Sequence, residues 1–115
     1  MSPETIYDRT SEHELVTIAT LRERGDTILV VSGDVDLATA SFLWESVEQV
    51  LSDSERLIVD LRDVGFVDSS GLSVFVRARR RLREAGGALV LRSPNPRVRR
   101  VLELTGLAQV LTIEG

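Results

Sequence analysis

The stretch VGFVDSSGLSVFV, residues 64–76, joins two apolar segments through a short polar break, and it decides how the chain divides into structural elements. The break consists of Asp68, Ser69, Ser70 and Gly71. Aspartate and serine are preferred at the N-cap of a helix, where their side-chain oxygens accept backbone N–H groups that have no intrahelical partner. The break therefore predicts the start of a helix.

The segments on either side of the break agree with this prediction. Residues 57–61, LIVDL, form a short apolar run of the kind found in strands that are buried on both faces. After the break, apolar residues recur at helical spacing from Leu72 to Leu82. Gly86 and Gly87 then supply a left-handed C-cap. The centre of the chain thus predicts a buried strand followed by an amphipathic helix.

The segments before this centre predict a hairpin and a first helix. Residues 15–21 and 27–32 are apolar and β-branched and flank a glycine-containing turn, which is typical of a β-hairpin. Apolar residues near helical spacing over residues 37–51 predict a helix. Asp36 or Thr39 could cap it.

The segments after the centre complete an alternation of strands and helices. Residues 88–92 predict a buried strand, and residues 110–113 predict a last strand. Between them, Asn95 and Pro96 suit the cap and first position of a helix, and Gly106 suits its end. The order ββαβαβαβ predicts an α/β domain with parallel crossovers in a mixed sheet.

Length and composition indicate one globular domain. The chain has 115 residues, of which 43% are hydrophobic and 28% are charged. Residues 1–14 lack apolar periodicity, so we expect a flexible lead there and a domain over residues 15–115.

With no cysteine, disulfides and cysteine-based zinc sites are excluded. No signal peptide or long apolar run is present, so we expect a cytoplasmic protein that does not contact a membrane.

The residue types argue against enzymatic chemistry. All 14 basic residues are arginine, which excludes mechanisms that need a lysine, and the single histidine, His13, lies in the polar lead. The sequence DSSGL differs from the Gly-x-Ser-x-Gly nucleophile elbow. Asp68 could accept a phosphoryl group, but the receiver domains that do so use a lysine. We therefore expect a protein that is not an enzyme and needs no cofactor and no metal.

Acidic and basic residues cluster at separate places. Asp34 and Asp36 follow the second predicted strand and Asp68 follows the third, where loops at the carboxyl ends of strands carry functional groups. These carboxylates could bind a divalent cation, although capping and solvation explain them equally well. Arginines crowd residues 77–83 and 97–100 and suit a solvated face or a protein-docking surface. Only 4% of residues are aromatic and the net charge is −4, so nucleic-acid binding is not expected.

Two interpretations of Ser69 remain open from its position alone. In the first, Asp68 or Ser69 only caps the helix, which contributes about 1 kcal/mol. In the second, Ser69 is phosphorylated, because the helix N-terminus stabilises a phosphate whose charge of about −1.5 to −2 would repel a partner. Gly71 would let another chain approach the helix start closely. The chemistry does not distinguish Ser69 from Ser70.

Three segments together resemble the STAS domain of bacterial anti-sigma-factor antagonists. They are SGDVDLATA at residues 32–40, LIVDLRDVGFVDSSGLSVFVRARRRLREAGGALVL at 57–91 and PRVRRVLELTGLAQVLTI at 96–113. The resemblance extends over residues 15–113 and departs from many relatives at Ser73, where they have glycine. It implies a mixed four- to five-stranded sheet with helices packed mainly on one face.

The resemblance also implies a function. The unphosphorylated protein would bind an anti-sigma factor, usually also a serine kinase, and so release a sigma factor for transcription. The kinase would phosphorylate the serine that directly follows the aspartate, which is Ser69, and a separate serine phosphatase would restore binding. The alternative is a STAS module that binds a partner or small ligand without phosphorylation. The partner-binding residues implied are Asp34, Asp36, Asp68, Ser69, Ser70, Gly71 and Leu72.

Overall fold

The strands of the protein form one sheet in the order in which they occur in the sequence. The computed structural model describes residues 5–12, 14–52 and 54–115, with the backbone alone over residues 5–12. Within these residues the sheet has six strands. The strands are β1 (Thr5–Glu12), β2 (Val16–Glu23), β3 (Asp26–Gly33), β4 (Arg56–Asp63), β5 (Ala88–Arg92) and β6 (Thr112–Glu114). The helices are α1 (Ala40–Leu51), α2 (Ser69–Glu84) and α3 (Pro96–Leu104), followed by a 3-10 helix at Leu107–Gln109.

The sheet is mixed, as the sequence predicted. The pairs β1–β2 and β2–β3 are antiparallel, and the pairs β3–β4, β4–β5 and β5–β6 are parallel. Each helix connects two neighbouring parallel strands. Because such crossovers share one hand, a sequential strand order brings all three helices to the same face of the sheet. The predicted arrangement of helices on one face is therefore confirmed.

The main core lies between the sheet and the helices. Leu57, Val59 and Leu61 alternate along β4, point to the helices and are buried. Phe75 and Leu82 of α2 are equally inaccessible and belong to the same cluster. A smaller cluster on the opposite face consists of Leu21, Ile28, Ile58 and Val90. This alternation fixes the register of the strands, because a slip by one residue would exchange the two faces.

The predicted hairpin is confirmed and has a tight turn. Strands β2 and β3 pair from Val16 with Gly33 to Glu23 with Asp26. The two turn residues have positive φ, 52° at Arg24 and 87° at Gly25. Positive φ at both central positions is typical of a type I′ turn, whose twist matches that of the flanking strands.

The lead predicted to be flexible contains a strand. Residues 5–12 form β1 and pair with the outer edge of β2, so the prediction is wrong for these residues and the sheet gains a sixth strand. An edge strand offers unpaired backbone groups along its whole length, and pairing with them needs no apolar pattern in the added segment. Residues 1–4 and 13 of the predicted lead lie outside the described residues.

The remaining elements agree with the predictions apart from details at their ends. Asn95 caps α3 through its side chain and Pro96 is the first helical residue, as predicted. The last strand begins at Thr112 rather than at residue 110. Gly86 is left-handed with φ 82°, whereas Gly87 is not among the positive-φ glycines.

Candidate functional site

The serine motif lies where β4 passes into α2. Asp68 is the N-cap of α2 and has an extended backbone, with φ −99° and ψ −172°. Its carboxylate Oδ1 accepts the N–H of Ser70 at 2.8 Å and that of Gly71 at 3.3 Å. Ser69 is the first residue of the helix and its side chain is exposed. The predicted helix start is confirmed, and Asp68 is the residue that caps it.

The cap changes the expected surroundings of a phosphate on Ser69. The sequence suggested that free N–H groups at the helix start would hold such a phosphate. Two of these groups, from Ser70 and Gly71, already donate to the Asp68 carboxylate. A phosphate on Ser69 would therefore meet a neighbouring negative charge and compete with Asp68 for these donors.

The β4–α2 loop, residues 64–68, pairs with the β3–α1 loop, residues 34–39. Val35 and Val67 form an isolated parallel bridge. The N–H of Val35 donates to the Phe66 carbonyl at 2.9 Å, and the N–H of Asp68 donates to the Val35 carbonyl at 3.1 Å. These bonds bring the acidic residues of the β3–α1 loop next to the helix start that carries Ser69.

Gly71 lies at the crossing of the two loops. A Cβ at this position would lie 2.7 Å from Val67 Cγ1 and 2.8 Å from Val35 Cγ1. Gly71 is buried. The missing side chain therefore makes room for the protein's own loops, and the expectation that it makes room for another chain is wrong. Leu72, the next predicted partner-binding residue, is also buried, at 7% exposure.

The two aspartates of the β3–α1 loop have different surroundings. Asp36 Oδ1 accepts the N–H of Ala38 at 3.0 Å, and the Asp36 N–H donates to Thr39 Oγ1 at 3.0 Å. Thr39 Oγ1 in turn donates to the Asp34 carbonyl at 2.8 Å. Thr39 is the N-cap residue of α1 but makes no side-chain cap bond to the helix. Asp36 and Thr39 therefore shape the loop, whereas Asp34 is exposed to solvent.

The Asp34 side chain also lies close to the β4–α2 loop. A Cβ built on Gly65 would lie 3.0 Å from Asp34 Oδ1. Among the residues that the structure describes, no group of three acidic or histidine side chains is placed to hold a metal ion. Asp34, Asp36 and Asp68 are thus brought to one end of the sheet without forming such a group.

Exposed apolar residues at this end were missed by the sequence interpretation. Leu37 was counted among the apolar residues of the first helix, but α1 begins at Ala40 and Leu37 is 82% exposed in the loop. Phe66 is 38% exposed in the β4–α2 loop. Large apolar side chains on a surface are typical of protein interfaces when they cluster. The signal that could have located them is their position beside the polar residues of the two loops.

A groove also begins at Ser69 and follows the surface of α2. It has a volume of about 390 Å³, with Leu72, Val76 and Leu107 as its apolar lining. Ser69 and Ser73 lie along it, followed by Arg77 and Arg80. These four residues are the lining members that carry polar groups, and they share one helix face because they are spaced by three or four positions.

The arginines of α2 are not all simply solvated. The Arg77 guanidinium carbon lies 4.0 Å from the centroid of the Trp44 ring, and that of Arg81 lies 5.9 Å from it. Such contacts are cation–π interactions. They connect α2 to α1 beside the groove, which the crowding of arginines in the sequence did not indicate.

Comparison with known proteins identifies the class of this domain. Residues 17–115 match the STAS domain family. The chain therefore belongs to the STAS domain family, as its motifs predicted.

The individual relatives are named as antagonists of anti-sigma factors. The chain is 28% identical over 100 residues to the anti-sigma-B factor antagonist of Bacillus subtilis (strain 168), which covers 87% of this chain and 92% of that protein. It is 36% identical over 89 residues to the anti-sigma-B factor antagonist of Listeria monocytogenes, which covers 76% of this chain and 77% of that protein.

Solved structures agree in fold. The crystal structure of an anti-sigma factor antagonist from Mycobacterium paratuberculosis aligns with a TM-score of 0.80 and 28% identity, covering 90% of this chain and 89% of that one. The anti-sigma factor antagonist SpoIIAA in its unphosphorylated form aligns with a TM-score of 0.72 at 19% identity, covering 84% of this chain and 86% of that one. The second likeness is one of fold alone.

In the described part of this chain, none of the helices has the length and apolar character needed to span a bilayer.

Proposed function

We propose that this protein is an anti-sigma-factor antagonist that is switched by phosphorylation of Ser69. In its unphosphorylated form it binds an anti-sigma factor that is also a serine kinase, and a sigma factor is released. Phosphorylation of Ser69 by that kinase ends the binding, and a separate serine phosphatase restores it. The protein acts by binding, with no cofactor and no catalytic step of its own.

The observation that carries the proposal is the exposure of Ser69 at the start of α2. Its side chain is exposed, whereas Ser70 is half-buried and the following Gly71 and Leu72 are buried. A kinase therefore reaches the Ser69 hydroxyl without unfolding the helix. The names of the relatives support the same role, since they are anti-sigma factor antagonists.

The partner-binding face that we propose is smaller than the set of motif residues. Asp34, Ser69 and the rim of the half-buried Asp68 face solvent, together with the exposed Leu37 and Phe66. The other motif residues lie behind this face. Asp36 bonds within the β3–α1 loop, Gly71 packs against both loops, and Leu72 is buried. The backbone N–H of Ser70 donates to the Asp68 carboxylate.

The charge of the phosphate explains how binding would be lost. A phosphoserine carries about −1.5 to −2 charge at neutral pH. On Ser69 it would stand beside Asp68 and near the loop of Asp34, so an interface complementary to a hydroxyl would meet repulsion and added desolvation. The Ser69 side chain takes no part in the core, so the domain remains folded while its partner dissociates.

The experiment that tests the proposal identifies the partner and the site together. Immobilised wild-type protein and the variants Ser69→Ala and Ser69→Asp are incubated with a lysate of the source organism, and captured proteins are identified by mass spectrometry. Ser70→Asp serves as the matched control, because it adds the same charge one residue away. The captured anti-sigma factor is then purified and incubated with the protein and ATP.

We expect phosphate on Ser69 in the wild type and none in Ser69→Ala. Ser69→Asp should bind the anti-sigma factor at least tenfold more weakly, which corresponds to about 1.4 kcal/mol, with its melting temperature little changed. Labelling at another residue that persists in Ser69→Ala would contradict the site, and full binding by Ser69→Asp would contradict the charge argument.

A second candidate is a STAS module that binds a partner or small ligand without phosphorylation. The groove of about 390 Å³ beside Ser69 favours this candidate, since ligand sites commonly have volumes of about 300–1,000 Å³. It would be supported if an anti-sigma factor were captured equally by wild type and Ser69→Asp and transferred no phosphate to the chain.

A further inference from the structure

The side chain of Asn95 connects the start of α3 to the loop that precedes Ser69. Its Oδ1 accepts the N–H of Val98 at 2.8 Å, which caps α3. Its Nδ2 donates to the Val64 carbonyl at 2.7 Å, across 31 positions of the chain. Val64 is fully buried, at 0% exposure, and a buried carbonyl needs a hydrogen-bond partner. One amide thus serves two elements at once.

The β4–α2 loop is held from two opposite sides. On one side, Val35 bonds to Phe66 and Asp68 through the backbone. On the other side, Asn95 bonds to the first loop residue, Val64. The α3 helix makes a further contact with this loop, because the Arg97 guanidinium carbon lies 5.9 Å from the centroid of the Phe66 ring. The position of Ser69 therefore depends on α3 as well as on the β3–α1 loop.

The choice of asparagine at position 95 reflects the second bond. Aspartate and serine cap helices about as well as asparagine does. A carboxylate has no donor, and the single oxygen of serine, although its O–H can donate, lies one bond closer to the backbone than the amide nitrogen, so neither side chain reproduces both bonds of Asn95. An asparagine presents an acceptor and a donor on one planar group, which matches the two bonds observed.

We propose that Asn95 is a positioning residue for Ser69, acting through the Val64 carbonyl. It holds the β4–α2 loop against the β3–α1 loop, so that the Ser69 hydroxyl is presented in one place to the kinase. The effect on phosphorylation rests on the proposed function, whereas the effect on the loop does not.

Two variants separate the cap from the positioning bond. Asn95→Asp and Asn95→Ser keep an oxygen for the N–H of Val98. Aspartate removes the donor to the Val64 carbonyl, and the serine O–H, one bond closer to the backbone, falls short of the position of the amide nitrogen. The serine variant is neutral, so it controls for the charge that aspartate adds, and it remains testable if the aspartate variant fails to fold. Asn95→Ala, which removes both bonds, is the matched comparison.

Amide hydrogen exchange on the free protein measures the loop directly. In Asn95→Asp and Asn95→Ser we expect the amides of Val35 and Asp68 to exchange about threefold to tenfold faster, as follows from the loss of one hydrogen bond. The amides of Val98 and Arg99 at the start of α3 should change less than twofold. The ¹H–¹⁵N resonances of Ser69 and Ser70 should shift in both variants.

The outcomes distinguish positioning from a purely structural role. A residue that only caps α3 would tolerate both substitutions, so unchanged Ser69 resonances and unchanged loop exchange would overturn the proposal. Equal acceleration throughout the sheet and helices would overturn it too, because it would indicate a global loss of stability. With the anti-sigma kinase, we expect kcat/KM for Ser69 phosphorylation to fall at least threefold. If the wild type is not phosphorylated at all, the proposed function fails, and hydrogen exchange alone decides the role of Asn95.

Discussion

Gly71 packs against both loops of the candidate site, and the substitution Gly71→Ala should destabilise the protein. Helix propensity alone argues for the opposite outcome, since alanine is favoured over glycine by about 1 kcal/mol within a helix. The φ of Gly71 is not in the left-handed region, so the backbone adds no strain. The sign of the effect therefore depends on the space available to one methyl group.

The structure leaves no room for that methyl group. It would lie 2.7 Å from Val67 Cγ1, 2.8 Å from Val35 Cγ1 and 2.9 Å from the Val35 carbonyl oxygen. Favourable contacts between carbon atoms need about 3.5–4.0 Å. Val35 and Val67 are 0% and 1% exposed, and β-branched side chains have few alternative rotamers, so neither can move aside easily.

The expected change follows from these two opposing effects. Overpacking a core costs about 1–3 kcal/mol, and helix propensity offsets at most about 1 kcal/mol. The free energy of unfolding should fall by about 1–2 kcal/mol, and the melting temperature by roughly 4–8 °C for a domain of this size. Urea and thermal unfolding followed by circular dichroism measure both quantities.

Two further variants make the test specific to the clash. Ser73→Ala changes an exposed position of the same helix and should alter stability by less than about 0.5 kcal/mol. Combining Gly71→Ala with Val67→Ala removes one clashing side chain. The loss in free energy of unfolding of the double variant should therefore be about 1 kcal/mol smaller than the sum of the two single losses. A Gly71→Ala protein as stable as the wild type would refute the reasoning.

Substitutions at three other positions test contacts around the site and in the core. Asp68→Ala should lower the free energy of unfolding by about 1 kcal/mol through loss of the helix cap, with a smaller loss for Asp68→Asn, as measured by urea denaturation. Arg77→Ala should change the fluorescence of Trp44, the only tryptophan, and an unchanged emission spectrum would contradict their 4.0 Å contact. Phe75→Ala should destabilise the fold by about 3–5 kcal/mol because Phe75 is 1% exposed, and a thermal melt checks this.

The order of elements was predictable because its signals are local. Asn95, Pro96 and Gly106 mark the beginning and end of α3, and Asp68 marks the beginning of α2. Caps and periodicity depend on residues within a few positions of one another, so the sequence displays them directly. The strand β1 was missed because it pairs through backbone groups, which every residue carries.

The packing of the candidate site was less predictable because its contacts join distant segments. Gly71 meets Val35 of another loop, and Asn95 meets Val64. From the sequence, the small size of Gly71 suggested room for a partner, and nothing linked Asn95 to the serine motif. Leu37 matched the helical spacing although the chain is not yet helical there. Hydrophobic periodicity identifies the buried face of a helix only once the first helical residue is known.

Phosphorylation of Ser69 rather than Ser70 stays a prediction, and the structure gives a physical reason for it that the sequence alone lacks. Chemistry alone treated the two hydroxyls alike. In the structure Ser69 is exposed, whereas Ser70 is half-buried and its N–H is engaged by Asp68. Accessibility therefore favours the residue that the family motif indicated, and phosphate mapping remains its test.

The sequential order of the strands bears on how the protein is made. Each strand from β2 to β6 pairs with the strand that precedes it in the chain. As the chain leaves the ribosome, every new strand therefore finds its hydrogen-bonding edge already synthesised, and no segment must wait for a later one to be inserted between existing strands. Since chains emerge from the N-terminus at about 5–20 residues per second, strand pairs can form transiently in this order during translation. Because a domain of this size folds as a unit and an isolated hairpin is only marginally stable in water, lasting protease resistance is expected once the last strand has emerged.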